Sequence, residues 1–436
     1  MIYLIKMRGV ISVEEKFLTK GGIEIYGYKN PALHGFFISL FLRAGSMYES
    51  ERDNGITHFF EHVAIRNVNK QMGGRLYSEL DRQGVEFNAS TYAEMVQFYI
   101  SGAPDKFSFA ATTLTRLLSP IILTGAEIDA ERRRIKAEIR EADDKNSLSF
   151  FTNGIVHKST SLSRSITGTL SSVGAITAKR LEEYRKTTFT KENIFFYVTG
   201  NFTDTDIKCL SECIDGYILE DGGKSHENIA PVSENHFRRE PEAQVKNSNF
   251  TSVRFTFDLD MNKLTVPVTD LLYDILLSGY SSKLFIEMSE VRGLFYDISG
   301  AVERYRNIGE LYFSYELRER NISEAISLTV DILNSIKHKL RAPDEMMSAG
   351  YVDNADMLYD DARELNFTMA YDNHIMNLGY ASLDERKGAY ASVTPEEVRR
   401  AACEIFTPKN LTLTIKGNKK KIDTEEINNI ILRLNE

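Results

Sequence analysis

At 436 residues, with 42% apolar and 26% charged residues and a formal net charge of -9, the chain has a globular composition and room for about two to four domains. The acidic balance argues against a nucleic-acid binder, which needs clustered Lys and Arg; the run Lys419-Lys420-Lys421 reads as a solvated turn. Cys209, Cys213 and Cys403 are too few for a disulfide framework, no stretch reaches the roughly 18 apolar residues of a membrane span, and the opening MIYLIKMRGV lacks a small-residue cleavage site, so a soluble, cytoplasmic protein is expected.

In chain order, the first strand-length apolar run is FFISLFL (36–42). Asp53 and Asn54 then signal a helix start. In the segment 55–68, GITHFFEHVAIRNV, His58, Glu61 and His62 stand at i, i+3 and i+4 and share one helical face. Two imidazoles one turn apart can close on a single Zn²⁺ at about 2.0–2.1 Å, and a carboxylate on that face can reach a water there without being a ligand. This H-x-x-E-H pattern is the inverted relative of H-E-x-x-H. A catalytic zinc also needs a third protein ligand.

The stretch Phe87 to Thr91, FNAST, alternates and ends in small residues, as an edge strand should. Helices are expected over 104–118 and 125–145. The second, GAEIDAERRRIKAEIREADDK, carries an apolar stripe of Ile128, Ile135, Ile139 and Ala142 that also contains Glu131 and Glu138. Arg132, Arg133, Arg134, Lys136 and Arg140 point mostly to solvent. A carboxylate on a buried stripe is costly unless it is paired or bound to a metal, so a ligand and a supporting partner are expected there.

Residues 189–201, FTKENIFFYVTGN, return as FTPKNLTLTIKGN at 406–418, an offset of 217. The same offset pairs FFISLFL with VRFTFDL (253–259), and GRLYSELDRQGVEF (74–87) resembles SKLFIEMSEVRGLFY (282–296). The chain therefore reads as two copies of one α+β domain, each a mostly antiparallel sheet layered with helices, including those expected at 265–279 and 321–340. The expected boundaries are 1–220 for the first domain, 221–240 for a polar linker and 241–436 for the second. At that offset His58, Glu61 and His62 map to Ile275, Ser278 and Gly279, so the fold does not require the three polar side chains.

The segment RAGSMYESERDNGITHFFEHVAIRN (43–67) resembles the zinc-site region of the pitrilysin/insulinase family of metallopeptidases. Those enzymes carry H-x-x-E-H and, about 75 residues on, a glutamate that completes the site; here 75 residues separate His62 from Glu138. ERRRIKAEI (131–139), RQGVEFNASTYAEMVQFYI (82–100), SITGTLSSVGAITAKRLEEYRKTTFTKENIFFYVTGN (165–201) and SSKLFIEMSEVRGLFYDIS (281–299) are similar to further family segments, and length and duplication resemble the mitochondrial-processing-peptidase-like subgroup.

The resemblance implies a clam-shell subunit of a dimer and a zinc endopeptidase acting on short unfolded peptides or leader segments in a closed chamber. It implies His58, His62 and Glu138 as zinc ligands, Glu61 as general base and Glu131 as the carboxylate that orients a ligand histidine. It further implies Tyr296 as a donor to the developing oxyanion, and Phe87, Asn88, Ala89, Ser90 and Thr91 as the strand that pairs with substrate. Relatives usually carry an arginine seven residues before that tyrosine; here the position is Ser289, with Arg292 only four residues ahead. The expected partner is thus a homologous subunit that supplies the Arg/Tyr pair, a homodimer being the other arrangement. The alternative function is a non-catalytic peptide-binding or scaffold subunit.

Overall fold

Continuous apolar runs belong at the centre of a sheet covered on both faces, because neither side of such a strand tolerates water. In a computed structural model of the chain, FFISLFL and IFFYVTG are neighbouring central strands, buried at every residue. The structure describes residues 13–142, 146–219, 221–222, 226–237, 239–277, 281–295, 298–338 and 356–435.

The chain begins with β1 (Glu15–Leu18), β2 (Glu24–Lys29), β3 (Phe36–Leu42), α1 (Ile56–Gln71), α2 (Leu76–Gln83), β4 (Glu86–Thr91) and β5 (Val96–Gly102). Next come α3 (Phe107–Thr115), α4 (Gly125–Glu141), α5 (Leu148–Val156), α6 (Leu170–Ala175), α7 (Ala178–Thr188), β6 (Ile194–Gly200) and α8 (Asp204–Asp215). The second half contains β7 (Ala243–Asn247), β8 (Ser252–Asp260), α9 (Val266–Leu276), β9 (Ile298–Arg304), β10 (Ile308–Glu316), α10 (Ile322–His338) and, beyond further helices, β11 (Leu411–Gly417).

The described strands form two sheets, ordered β1-β2-β6-β3-β5-β4 and β7-β11-β8-β10-β9. With β1 set aside, the orders coincide when β2 to β6 are laid in turn on β7 to β11. Among the described strands, each sheet has a single parallel pairing at the equivalent place, β2 with β6 and β7 with β11, the rest being antiparallel. The repeated sequence frame thus has a repeated topology beneath it.

The residues form two compact units, each built from three stretches of chain. One comprises Met1–Arg140, Ile166–Glu227 and Ala355–Gly388; the other comprises Glu141–Ser165, Asn228–Asn354 and Ala389–Glu436. In the first unit, alternation along the strands divides the sheet into two faces. Ile38, Leu40, Leu42, Phe196 and Val198 face a core that includes Phe59, Phe60 and Val63 of α1. Phe41, Phe195 and Tyr197 face the other way and pack with Leu365, Met369 and Ala370 of the late helix Ala362–Ala370. Asn366 pins that helix to the sheet: its Nδ2 donates to the Tyr197 carbonyl at 2.9 Å, and its Oδ1 accepts from Ser39 Oγ at 2.6 Å.

In the second unit, Phe255, Phe257, Phe313, Leu413 and Ile415 share a core with α9 and α10. The helix α5 also belongs here, and Thr152 on it lies 2.6 Å from Thr414 on β11 through their hydroxyls. No described helix is long and apolar enough to cross a membrane.

Candidate metal centre

Helix α1 starts at Ile56, after a cap that differs from the expected one. Asp53 and Asn54 give α1 no side-chain cap; Gly55 stands at the cap position with φ of 88°. The capping carboxylate comes from Glu49, which accepts the N–H groups of Gly55 at 2.7 Å and Thr57 at 2.9 Å and the Asn54 side-chain amide at 3.1 Å. Burial pushes the Glu49 carboxyl up in spite of those bonds. Asp53 instead pairs with Arg180 of α7 at 2.8 Å. The left-handed Gly55 permits a close backbone crossing: a Cβ there would lie 2.7 Å from the Thr167 carbonyl oxygen.

From this start, α1 holds His58, Glu61 and His62 on one face, with the two imidazole centroids 4.7 Å apart. Glu138 arrives from α4. Its Oε1 is 3.6 Å from His58 Nε2 and its Oε2 is 3.6 Å from His62 Nε2. These separations approach the about 3.3 Å edge of a tetrahedron built on 2.0–2.1 Å bonds, so the two nitrogens and the carboxylate suit one divalent ion of the zinc type.

Burial fades along α4. Glu131 and Ile135 are buried, whereas the Glu138 side chain is 44% exposed, so its stripe is less enclosed than the sequence pattern suggested. Arg132 is also not a solvated residue: its Nη1 donates to the carbonyls of Val173 and Ile176, at 2.5 and 2.7 Å.

Glu131 Oε2 lies 3.4 Å from His62 Nδ1, and its Oε1 accepts from Arg66 Nη1 at 2.5 Å. Burial raises the Glu131 carboxyl, but the hydrogen bonds from His62 and Arg66 outweigh it and hold the group below its usual range. His58 has no comparable support, since its Nδ1 is buried without a hydrogen-bond partner among the described residues. Burial, aided by the His62 charge, pushes His58 down to about 4, which keeps its imidazole neutral at physiological pH. Glu61 moves the other way: burial raises its carboxyl against the hydrogen bond from Thr91 and the charge of His62. Thr91 Oγ1 donates to Glu61 Oε2 at 2.5 Å.

Phe87, Asn88, Ala89, Ser90 and Thr91 lie in β4, the edge strand of its sheet, paired only with β5 among the described strands. Phe87 and Ala89 pack against the core, and Asn88 turns its Oδ1 to the Ala89 N–H at 2.9 Å. Ser289 lies in a wide helical turn and donates to the Phe295 carbonyl at 3.0 Å, while Arg292 pairs with Glu324 at 3.6 Å. Tyr296, with Ser278 and Gly279, falls outside the described residues. Glu49 and Arg66 escaped the sequence reading. Arg66 stands one turn past His62, the spacing at which it could have been sought as a partner for Glu131.

The family description Insulinase (Peptidase family M16) matches residues 29–199, and Peptidase M16 inactive domain matches 175–346. Among similar proteins, an uncharacterised zinc protease of Streptomyces coelicolor is 22% identical over 418 residues, spanning 92% of this chain and 89% of that protein. An uncharacterised zinc protease of Bacillus subtilis is 22% identical over 68% of this chain and 72% of its own length. The mouse mitochondrial-processing peptidase subunit beta is 26% identical over 51% of this chain and 45% of its own. In fold, the chain is similar to a protease from Helicobacter pylori, with a TM-score of 0.83, 16% identity, and coverage of 94% of this chain and 100% of that one. It is also similar to the periplasmic protease PqqL of Escherichia coli, with a TM-score of 0.77 and 16% identity, over 97% of this chain and 50% of that one. The first domain carrying the histidine pair, the second domain repeating its topology and the two family matches agree, and the chain belongs to the insulinase (peptidase M16) family.

Proposed function

We propose that this chain is the metal-bearing subunit of a zinc endopeptidase that hydrolyses short unfolded peptides or leader segments. The observation that carries the reading is the convergence of His58 Nε2, His62 Nε2 and the Glu138 carboxylate beside a buried Glu61 on the same helical face. A zinc ion held by the three would polarise the scissile carbonyl and acidify a water. Glu61, whose Oε2 is occupied by Thr91, takes the water's proton on Oε1 and returns it to the departing amine. Glu131 fixes the His62 ring through Nδ1, leaving Nε2 for the metal.

The unpaired edge of β4 offers its backbone to an extended peptide, which brings the carbonyl toward Glu61 on the strand's α1-facing side. Backbone pairing reads shape more than sequence and suits unfolded segments. Ser289, where relatives carry arginine, favours a heterodimer in which a homologous subunit contributes the substrate-gripping Arg/Tyr pair; Tyr296 would act only once brought over the site. A peptide-binding scaffold is the other reading, and the intact set His58, Glu61, His62 and Glu138 weighs against it.

The test is to purify the chain alone and with a homologous partner, measure bound zinc and follow cleavage of unstructured peptides. Zinc should bind to the chain alone, and cleavage should need the mixture. Glu61→Gln should retain the metal and lose about 10²–10⁴-fold in kcat. A chain that binds no metal, with Glu61→Gln indistinguishable from wild type, would overturn the reading.

A further inference from the structure

A second cluster of metal-ligating side chains lies in the other unit. His157 ends α5, His236 sits in the turn at 234–237 and Glu310 is on β10; all three are buried, and one donor atom from each lies within 4.8 Å of the others. His157 Nε2 and Glu310 Oε1 are 2.7 Å apart, an ion pair that ties the end of α5 to β10. His236 Nδ1 is engaged by Ser233, at 2.9 Å from Oγ and 3.1 Å from N. Its Nε2 is buried with no hydrogen-bond partner among the described residues, as is His157 Nδ1. Unsatisfied buried polar atoms cost about 1–3 kcal/mol each, and two in one cluster call for a common explanation.

We propose that His157, His236 and Glu310 form a second divalent-metal site of the zinc class. Two imidazoles and a carboxylate are a zinc-type donor set, and their complete burial suits a structural ion more than one that must exchange substrate. An ion on His236 Nε2 puts the ring proton on Nδ1, where Ser233 Oγ accepts it; that hydroxyl already donates to the Val156 carbonyl at 2.8 Å. The Ser233 N–H gives up its bond to Nδ1 in that state. The donor atoms, all within 4.8 Å of one another, would settle toward about 3.3 Å apart around the ion. Arg239, which pairs with Asp258 at 2.6 Å, and Arg254 both act on Glu310 and are positive charges an ion must coexist with.

The ligands come from three separated segments, so the ion would clasp the stretch 228–237 to β10 and to the end of α5. Other bonds that hold the stretch include Arg306 N to the Asn228 carbonyl at 2.7 Å, Ala230 N to Asn307 Oδ1 at 2.8 Å and Phe237 N to Asp258 Oδ2 at 3.0 Å. Binding of this kind raises folded-state stability directly.

The test counts metal in the full chain at micromolar free zinc, with cobalt(II) spectra as a check on coordination. Wild type should hold two equivalents, and His62→Gln/Glu138→Gln should keep one, with a zinc-dependent rise in Tm. Adding His236→Gln to that double variant should remove the last equivalent and the Tm rise. If the triple variant does not fold, the double variant still decides. One equivalent in wild type and none in the double variant would overturn the second site and leave the first standing; one in each would support the second site and sink the first.

Discussion

Glu61 and Glu131 both lie beside His62, yet their surroundings push them in opposite directions. Glu61 is raised by burial and held by one neutral hydroxyl; Glu131 is lowered because Arg66 and His62 stabilise its charged form. Two carboxylates driven apart in this way suit different tasks, one moving a proton and one staying ionised. Replacing Glu131 by Gln removes the charge behind His62 and leaves Arg66 unpaired. A 10–100-fold loss in zinc affinity, by competition with a chelating dye, is the expected result, with peptide affinity little changed. Equal zinc affinity in Glu131→Gln and wild type would mean that the 3.4 Å contact orients nothing.

At the scale of elements, the placement of α1 depends on the crossing of two chain segments. Gly168 has φ of 77°, and a Cβ on it would meet the Asn54 carbonyl oxygen at 2.6 Å. Gly168→Ala should therefore cost about 2–4 kcal/mol, from left-handed strain and the clash together, read from urea unfolding. A cost below about 0.5 kcal/mol would show that the two loops separate freely. Arg180, reaching from α7, adds a pH-dependent tie. Its hydrogen bond holds the Asp53 carboxyl below the usual range, so the stabilisation is present above the ordinary carboxylate pKa and is lost as pH falls through the lowered one. Arg180 is 41% exposed, which limits the tie to about 0.5–1 kcal/mol. Wild type should exceed Asp53→Asn in stability by that amount at pH 7 and match it near pH 2; a constant gap across that range would contradict the assignment.

For the whole molecule, the interleaved units set a limit on where the chain can be cut. Phe41, Phe195 and Tyr197 are covered by residues more than 150 positions later, Leu365, Met369 and Ala370. A fragment ending at residue 220 leaves that aromatic face open, and it should self-associate and bind a hydrophobic dye. Joining 355–388 to the fragment through a flexible linker should restore a monodisperse species in sedimentation. A well-behaved 1–220 fragment would mean that the late helix adds little.

The sequence alone sufficed for the pairing of His58, Glu61 and His62 on one helix, for Glu138 and Glu131 on α4 and for the duplication, because each rests on local periodicity or on a frame repeated within the chain. It did not reveal the Glu49 cap, the Thr91 hydroxyl on Glu61 or the cluster of His157, His236 and Glu310. It also missed the exchange of 141–165 and 355–388 between units. Those features join residues that are distant in the chain and share no spacing rule, so only tertiary packing, which buries both faces of the central strands, decides them.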